Sequence, residues 1–191
     1  MGREFELKYR ADEQTLAAIA AKYGDFTPIS METTYFDTPD LKFRIHHWTL
    51  RRRMENGRSV CTVKLPLPDG SRGEWETECG SIMQGIMELC KLGAPMELLA
   101  KSAGGVHPVC GAKFTRQALT LEVPGCTVEL ALDRGVLTGG GKELPFAEVE
   151  VELKDGTEAA AVLFARTLAA EFGLIPEPRS KVARAMALTM T

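Results

Sequence analysis

Charged residues spaced two apart recur along this chain. Glu4-x-Glu6-x-Lys8 comes first, then Arg51 and Arg53, Lys64, Arg72-x-Glu74-x-Glu76 and Arg116. Glu129 and Asp133 follow, and then the run Glu148-x-Glu150-x-Glu152. Rows of Lys and Arg suit an oxygen-rich anion such as polyphosphate, because guanidinium matches phosphate oxygens with paired donors. Carboxylates two apart on one face suit a hard divalent cation, which takes oxygen ligands. Together they describe a site for a metal–polyphosphate complex. A plainer reading stands beside it: one face of an antiparallel sheet often meets water, and charges there need no function.

A spacing of two is the period of a β-strand, so these residues imply strands with one charged and one apolar face. The segments 4–9, 61–65, 72–78, 128–133 and 148–153 all read this way. Asn56-Gly57, Asp69-Gly70 and Gly139-Gly140-Gly141 read as the turns between several of them. Helices are expected from Asp12 to Gly24, from the capping pair Ser81 and Gln84 to Gly93, over 96–102, over 157–172 and from Ser180 onward. Residues 39–49 read as a loop, and 175–178 as a weak linker. The apolar face (Phe5, Leu7, Trp75, Val149, Val151, Leu153) is large enough to pack against helices. If the sheet curls with helices outside, the charged faces point inward. There they are costly unless water, ions and a charged ligand fill the space.

The composition excludes some classes. There are 23 Lys plus Arg against 26 Asp plus Glu, a net charge of −3. A free nucleic-acid binder carries a basic excess, so no nucleic-acid partner is expected. No apolar run approaches a signal peptide or a membrane span, so a soluble cytoplasmic protein without a membrane partner is expected. The 5 cysteines (61, 79, 90, 110, 126) form no C-x-x-C pair, and are expected to be reduced core fillers. His46, His47 and His107 do not cluster with them, which argues against zinc. At this length one domain over residues 1–191 is the expectation.

In chain order the motifs resemble those of the CYTH superfamily, the triphosphate tunnel metalloenzymes. Glu4-x-Glu6-x-Lys8 is similar to the E-x-E-x-K signature. Tyr35-Phe36-Asp37-Thr38, Leu50 to Arg53, Thr62-Val63-Lys64 and Arg72-x-Glu74-x-Glu76 follow in family order. So do Arg116, residues 129–133, Glu148-x-Glu150-x-Glu152 and Ser180-Lys181-x-x-Arg184. The resemblance implies a mainly β, α+β fold: an eight-stranded antiparallel β-barrel forming a closed tunnel with flanking helices. It implies that Lys8, Arg51, Arg53, Lys64, Arg72, Arg116, Lys181 and Arg184 bind the substrate, with Lys181 closing over one mouth. Glu4, Glu6, Asp133, Glu148, Glu150 and Glu152 would hold Mg²⁺ or Mn²⁺, and Glu74, Glu76 and Glu129 would line the tunnel. Glu4, Glu6 and Lys8 would be catalytic, with water as the nucleophile, since phosphoryl transfer needs positioning and charge neutralisation more than covalent chemistry.

The shared motifs grip a triphosphate and do not choose among substrates. The compact chain favours inorganic triphosphate, cleaved to pyrophosphate and phosphate. Thiamine triphosphate hydrolysis and class IV-type adenylate cyclisation are the alternatives, with Phe43 or Trp48 as ring-stacking candidates whose plainer role is packing. A non-catalytic polyphosphate or nucleotide sensor is the reading of another class. A monomer or a homodimer is compatible with all of these.

Overall fold

The computed structural model describes residues 2–190, with side chains from Glu4 onward. Met1 and Thr191, the ends of the expected domain, lie outside the described residues. Among the described residues there are ten strands and six helices, beginning β1 Gly2–Arg3, β2 Glu6–Arg10, α1 Glu13–Tyr23, β3 Thr27–Asp37, α2 Lys42–Ile45, β4 Thr49–Glu55, β5 Arg58–Pro66 and β6 Arg72–Glu78. Then come α3 Ile82–Lys91, α4 Glu97–Ser102, β7 His107–Val123, β8 Cys126–Gly139, β9 Lys142–Gly156, α5 Glu158–Phe172, β10 Ile175–Pro176 and α6 Lys181–Leu188.

All ten strands form one antiparallel sheet in the order β1-β6-β5-β4-β3-β7-β8-β9-β2-β10. Hairpin chemistry sets much of this. Asn56-Gly57 and Gly140-Gly141 are two-residue loops with positive φ at both positions, the conformation that matches strand twist. The expected caps also form: Asp12 accepts from the Thr15 N–H at 2.7 Å and Ser180 from the Ala183 N–H at 3.1 Å.

The expected ring of eight strands needs correction, because the ladder is an open order of ten. β1 at one end of the order and β2, next to the other end, are consecutive pieces of one segment. β1 pairs with β6, and β2 pairs with β9. Between them the Glu4 N–H donates to the Arg72 carbonyl at 3.3 Å, while the Phe5 carbonyl accepts from Leu153 at 2.9 Å on the opposite side. The cause lies in β10, which pairs with Tyr9 and Arg10 and so occupies the second edge of β2. β6 meets this segment at residues 2 and 3 and through the Glu4 N–H.

Outward apolar faces pack under the helices. α1 and α5 cover Tyr9, Val128, Leu130, Val149 and Val151. α3 and α4 cover Leu50, Val63, Leu65 and Trp75. α6 instead packs on the inward face, where it covers Phe114, Leu137 and Phe146. α6 comes close because β8 ends on a glycine: a Cβ at Gly139 would lie 2.4 Å from the Ala185 carbonyl.

Three further expectations change. Cys61 and Cys79 form a disulfide, so they are not free thiols. Cys79 follows β6 beside Cys61 of β5, with Cα atoms 6.0 Å apart, and a C-x-x-C search cannot see a cross-strand pair. Cys90, Cys110 and Cys126 remain free. The loop over 39–49 contains α2, held by the buried Asp37 carboxylate, which accepts from the N–H groups of Thr38, Phe43 and Arg44 at 2.7–3.0 Å. The linker at 175–178 includes β10 and the buried Glu177.

Candidate functional site

The inward faces of the strands surround a cavity of about 940 Å³. Period two puts the expected residues on its wall. β2 contributes Glu6 and Lys8, with Glu4 just before it. β4 and β5 contribute Arg51, Arg53 and Lys64, and β6 contributes Arg72, Glu74 and Glu76. Arg116, Glu129, Glu150, Glu152 and Lys181 complete the set. Asp133, Glu148 and Arg184 do not line the cavity; they are buried behind it.

The bases are held unevenly. Lys64 contacts Glu4 closely and Glu74 at 3.4 Å. Arg51 lies 3.8 Å from Glu74, and its buried Nε has no hydrogen-bond partner. Arg72 donates to Thr49 Oγ1 at 3.0 Å. Arg53 is 6% exposed, yet its hydrogen bond goes to a hydroxyl, Thr33 Oγ1, at 2.9 Å. The nearest carboxylate oxygen, on Glu55, is 3.6 Å away. Burial and the neighbouring Arg51 pull the Arg53 guanidinium down to about 10. A buried cation beside other cations favours an anionic ligand.

The acids divide into two groups. Asp133, Glu148 and Glu150 present carboxylate oxygens within 4.8 Å of one another, a span compatible with a metal's ligand set. Lys181 already fills that centre. Its ammonium lies 2.7 Å from Asp133, 2.7 Å from Glu150 and in close contact with Glu148. Arg116 makes a paired contact with Asp133 at 2.7 and 2.8 Å and another with Glu150, and Arg184 binds Glu148. Burial opposes ionisation of Glu150, but Lys181 and Arg116 hold its carboxyl well below the usual range. Burial pushes the Glu148 carboxyl up. Lys181 lines the cavity and is at the same time the counter-ion of an internal acid cluster. The reason is α6, whose close seat on Gly139 brings its first residue into the cavity.

Glu4, Glu6 and Glu152 form the second group. Glu6 and Glu152 are register partners on β2 and β9, and Glu129 is the next partner on β8. The Glu6 carboxyl is pushed up to about 7 by the charge of Glu150, by burial and by Glu4. Among the described residues its closest ion-pair partner is Lys8, 3.9 Å away. Glu152 meets the half-exposed Lys154 at 2.9 Å. Glu4 and Glu152 have Lys64 and Lys154 beside them, so the crowding by other acids falls on Glu6, whose oxygens suit a hard divalent cation. Glu76 accepts from Thr62 Oγ1 at 3.2 Å on the far wall.

Sequence reasoning passed over some residues of this region. Lys154 extends the Glu148-x-Glu150-x-Glu152 run by one more period. Phe146 precedes that run by two, and Phe114 precedes Arg116 by two, so both share the inward face. His46 and His47 are exposed and Phe43 is buried, in line with their plainer roles. Trp48 packs partly buried against the same core, its ring stacked on Phe43 at 6.1 Å.

The inner face of this antiparallel sheet gathers bases and carboxylates around one cavity. Among known families the match is specific: the CYTH domain profile covers residues 2–186, and the chain belongs to the CYTH family. An inorganic triphosphatase of Haemophilus influenzae is 27% identical over 200 residues, covering 96% of this chain. The chain spans 54% of the length of that relative. Among solved structures, a Bacillus halodurans protein described as an adenylate cyclase candidate superposes with a TM-score of 0.68 at 20% identity, covering 94% of this chain and 96% of its own. The Hippeastrum protein HpAC1, described as an adenylyl cyclase candidate with a dominant triphosphatase activity, gives 0.67 at 18%, covering 98% and 97%. These two likenesses concern the fold. No helix among the described residues is long and apolar enough to cross a membrane.

Proposed function

We propose that this chain hydrolyses inorganic triphosphate to pyrophosphate and phosphate in a reaction that needs Mg²⁺ or Mn²⁺. The observation that carries this reading is the opposed imbalance within one cavity. Arg53 and Arg51 lack a closely bound carboxylate, while Glu6 is crowded by other acids. A triphosphate with its cation answers both at once. The similarity to a bacterial inorganic triphosphatase supports the choice of substrate.

In this reading Lys8, Arg51, Arg53, Lys64, Arg72 and Arg116 hold the phosphate oxygens. Glu4, Glu6 and Glu152 would hold the cation, which neutralises charge on the phosphates and favours ionisation of water. Lys8 and Arg53 stabilise the charge that spreads over the terminal phosphoryl oxygens during transfer. The attacking water donates a proton toward the carboxylate oxygens of Glu4 or Glu6. Water adds at the terminal phosphorus, the bridging oxygen leaves with pyrophosphate, and the protons pass to solvent. Asp133, Glu148 and Glu150, with Lys181 and Arg184, form the rigid support behind. Since Glu6 must be ionised, activity should rise through about pH 7.

One observation favours a second reading. A smaller cavity of about 340 Å³ adjoins the first, sharing Tyr35, Thr49 and Arg72, and is lined further by His47 and Trp48. It would accommodate the organic part of thiamine triphosphate or ATP. The test compares triphosphate, thiamine triphosphate and ATP with and without each cation, measuring phosphate, pyrophosphate and cyclic AMP. Cation-dependent release of phosphate from inorganic triphosphate at the highest kcat/KM supports the first reading. Binding of all three without turnover would leave a sensor.

A further inference from the structure

Three cations, Arg53 and Lys181 on the cavity wall and Arg184 behind it, lie beside aromatic rings. The Arg53 guanidinium carbon is 5.7 Å from the Phe114 ring centroid, and Lys181 Nζ is 5.1 Å from the same ring. Lys181 Nζ is also 5.6 Å from the Phe146 ring, and the Arg184 guanidinium carbon is 5.5 Å from it. The two rings meet edge to face, with centroids 5.7 Å apart. The result is a file that alternates charge and ring: Arg53, Phe114, Lys181, Phe146, Arg184.

The backbone is built for this file. Phe114, Gly135 and Phe146 are register partners across β7, β8 and β9. A Cβ at Gly135 would lie 2.1 Å from the Lys113 carbonyl and 2.5 Å from Phe114 Cβ. Glycine between the two phenylalanines leaves room for the rings to meet over the middle strand. Both rings are nearly buried, and their outer edges rest on α6.

An aromatic face attracts a cation without neutralising it as a carboxylate does. That distinction separates the members of the file. Lys181 and Arg184 have carboxylates in contact, whereas Arg53 has a ring and a hydroxyl. We propose that Phe114, braced by Phe146, is a positioning residue for polyphosphate binding: its ring face fixes the Arg53 guanidinium against the wall and leaves that charge for the phosphate oxygens. The proposal deepens the triphosphate reading and rests on it for the identity of the anion.

The test replaces Phe114 with 4-fluoro-, 3,5-difluoro- and 3,4,5-trifluorophenylalanine. These analogues keep the shape of the ring and weaken its face potential in steps. Inorganic triphosphate binding is measured calorimetrically in chelator, so that no turnover intervenes, and thermal melting is recorded in parallel. The dissociation constant should rise stepwise, reaching roughly tenfold with three fluorines, while melting stays constant. A flat series overturns the proposal, and so does a series in which affinity and melting fall together, because that marks a packing role. Loss of cation-dependent hydrolysis in the wild type would refute the triphosphatase reading while leaving the binding series informative. Failure of the wild type to bind triphosphate at all would overturn both.

Discussion

Two acidic groups meet on β9, and they are balanced differently. Asp133, Glu148 and Glu150 have the tighter geometry, yet Lys181, Arg116 and Arg184 satisfy them. Glu4, Glu6 and Glu152 are looser, and repulsion pushes Glu6 up to about 7. On the proposed reading the balance of charge around carboxylates, more than their proximity, selects the cation site. A filled cluster rigidifies the wall, and an unbalanced one is available for a ligand.

The largest expected effect comes from emptying the filled cluster. Lys181→Met should lower folding stability by about 3–5 kcal/mol near neutral pH, because three buried carboxylates lose their central cation. Glu150, held well below its usual range, gives stability above the ordinary carboxylate value and loses it on acidification. The deficit of the variant should thus shrink as pH falls, in urea titrations at several pH values. An unchanged midpoint would break the comparison.

Glu6→Gln acts on the other group. Turnover of triphosphate should drop by about 10²–10³-fold, the scale of losing one electrostatic contact to a transition state. Stability near neutral pH should hold or rise, since one repelling charge is gone. A variant that loses stability but keeps its turnover while folded would reverse the assignment of the two groups.

A third expectation concerns pH. The Glu6 carboxyl is raised to about 7, so its contribution to stability is present below the ordinary value of 4.5 and lost as pH rises through about 7. Protons also compete with a cation there. Divalent-cation affinity, measured calorimetrically, should fall by up to about tenfold for one pH unit below neutrality, and Glu6→Gln should remove this dependence. The smallest effect is expected from Lys154→Gln. Freeing Glu152 from its half-exposed partner should raise cation affinity by up to about fivefold, the ceiling for a surface pair.

Much of the fold was legible. The alternation in Glu148 to Leu153 and in Arg72 to Glu78 could only be strands, and Asp12, Ser81 and Ser180 marked their helices. The inward face was legible too, since period two carries from Glu4 to Lys8 and from Arg51 to Arg53. The division of the acids was not, because it depends on which strands become neighbours and on α6 delivering Lys181 into the wall. Arg116 reaches Asp133 and Glu150 only through the registers of β7 with β8 and of β8 with β9. The disulfide escaped for a similar reason: Cys61 and Cys79 meet across a hairpin, not along a motif.

The handover at Glu4 and Phe5 has a consequence for the order of folding. Residues 2–10 pair with β6 on one side and with β9 on the other, so they find their second partner only once most of the chain is available. Such distant pairing is slow to nucleate. Until it occurs, β6 and β9 each expose an open edge, a hazard for intermolecular pairing. The same late step brings Glu4, Glu6 and Lys8 to the cavity. Assembly of the wall and completion of the chemical machinery are thus one event, and a partly folded chain carries no finished site.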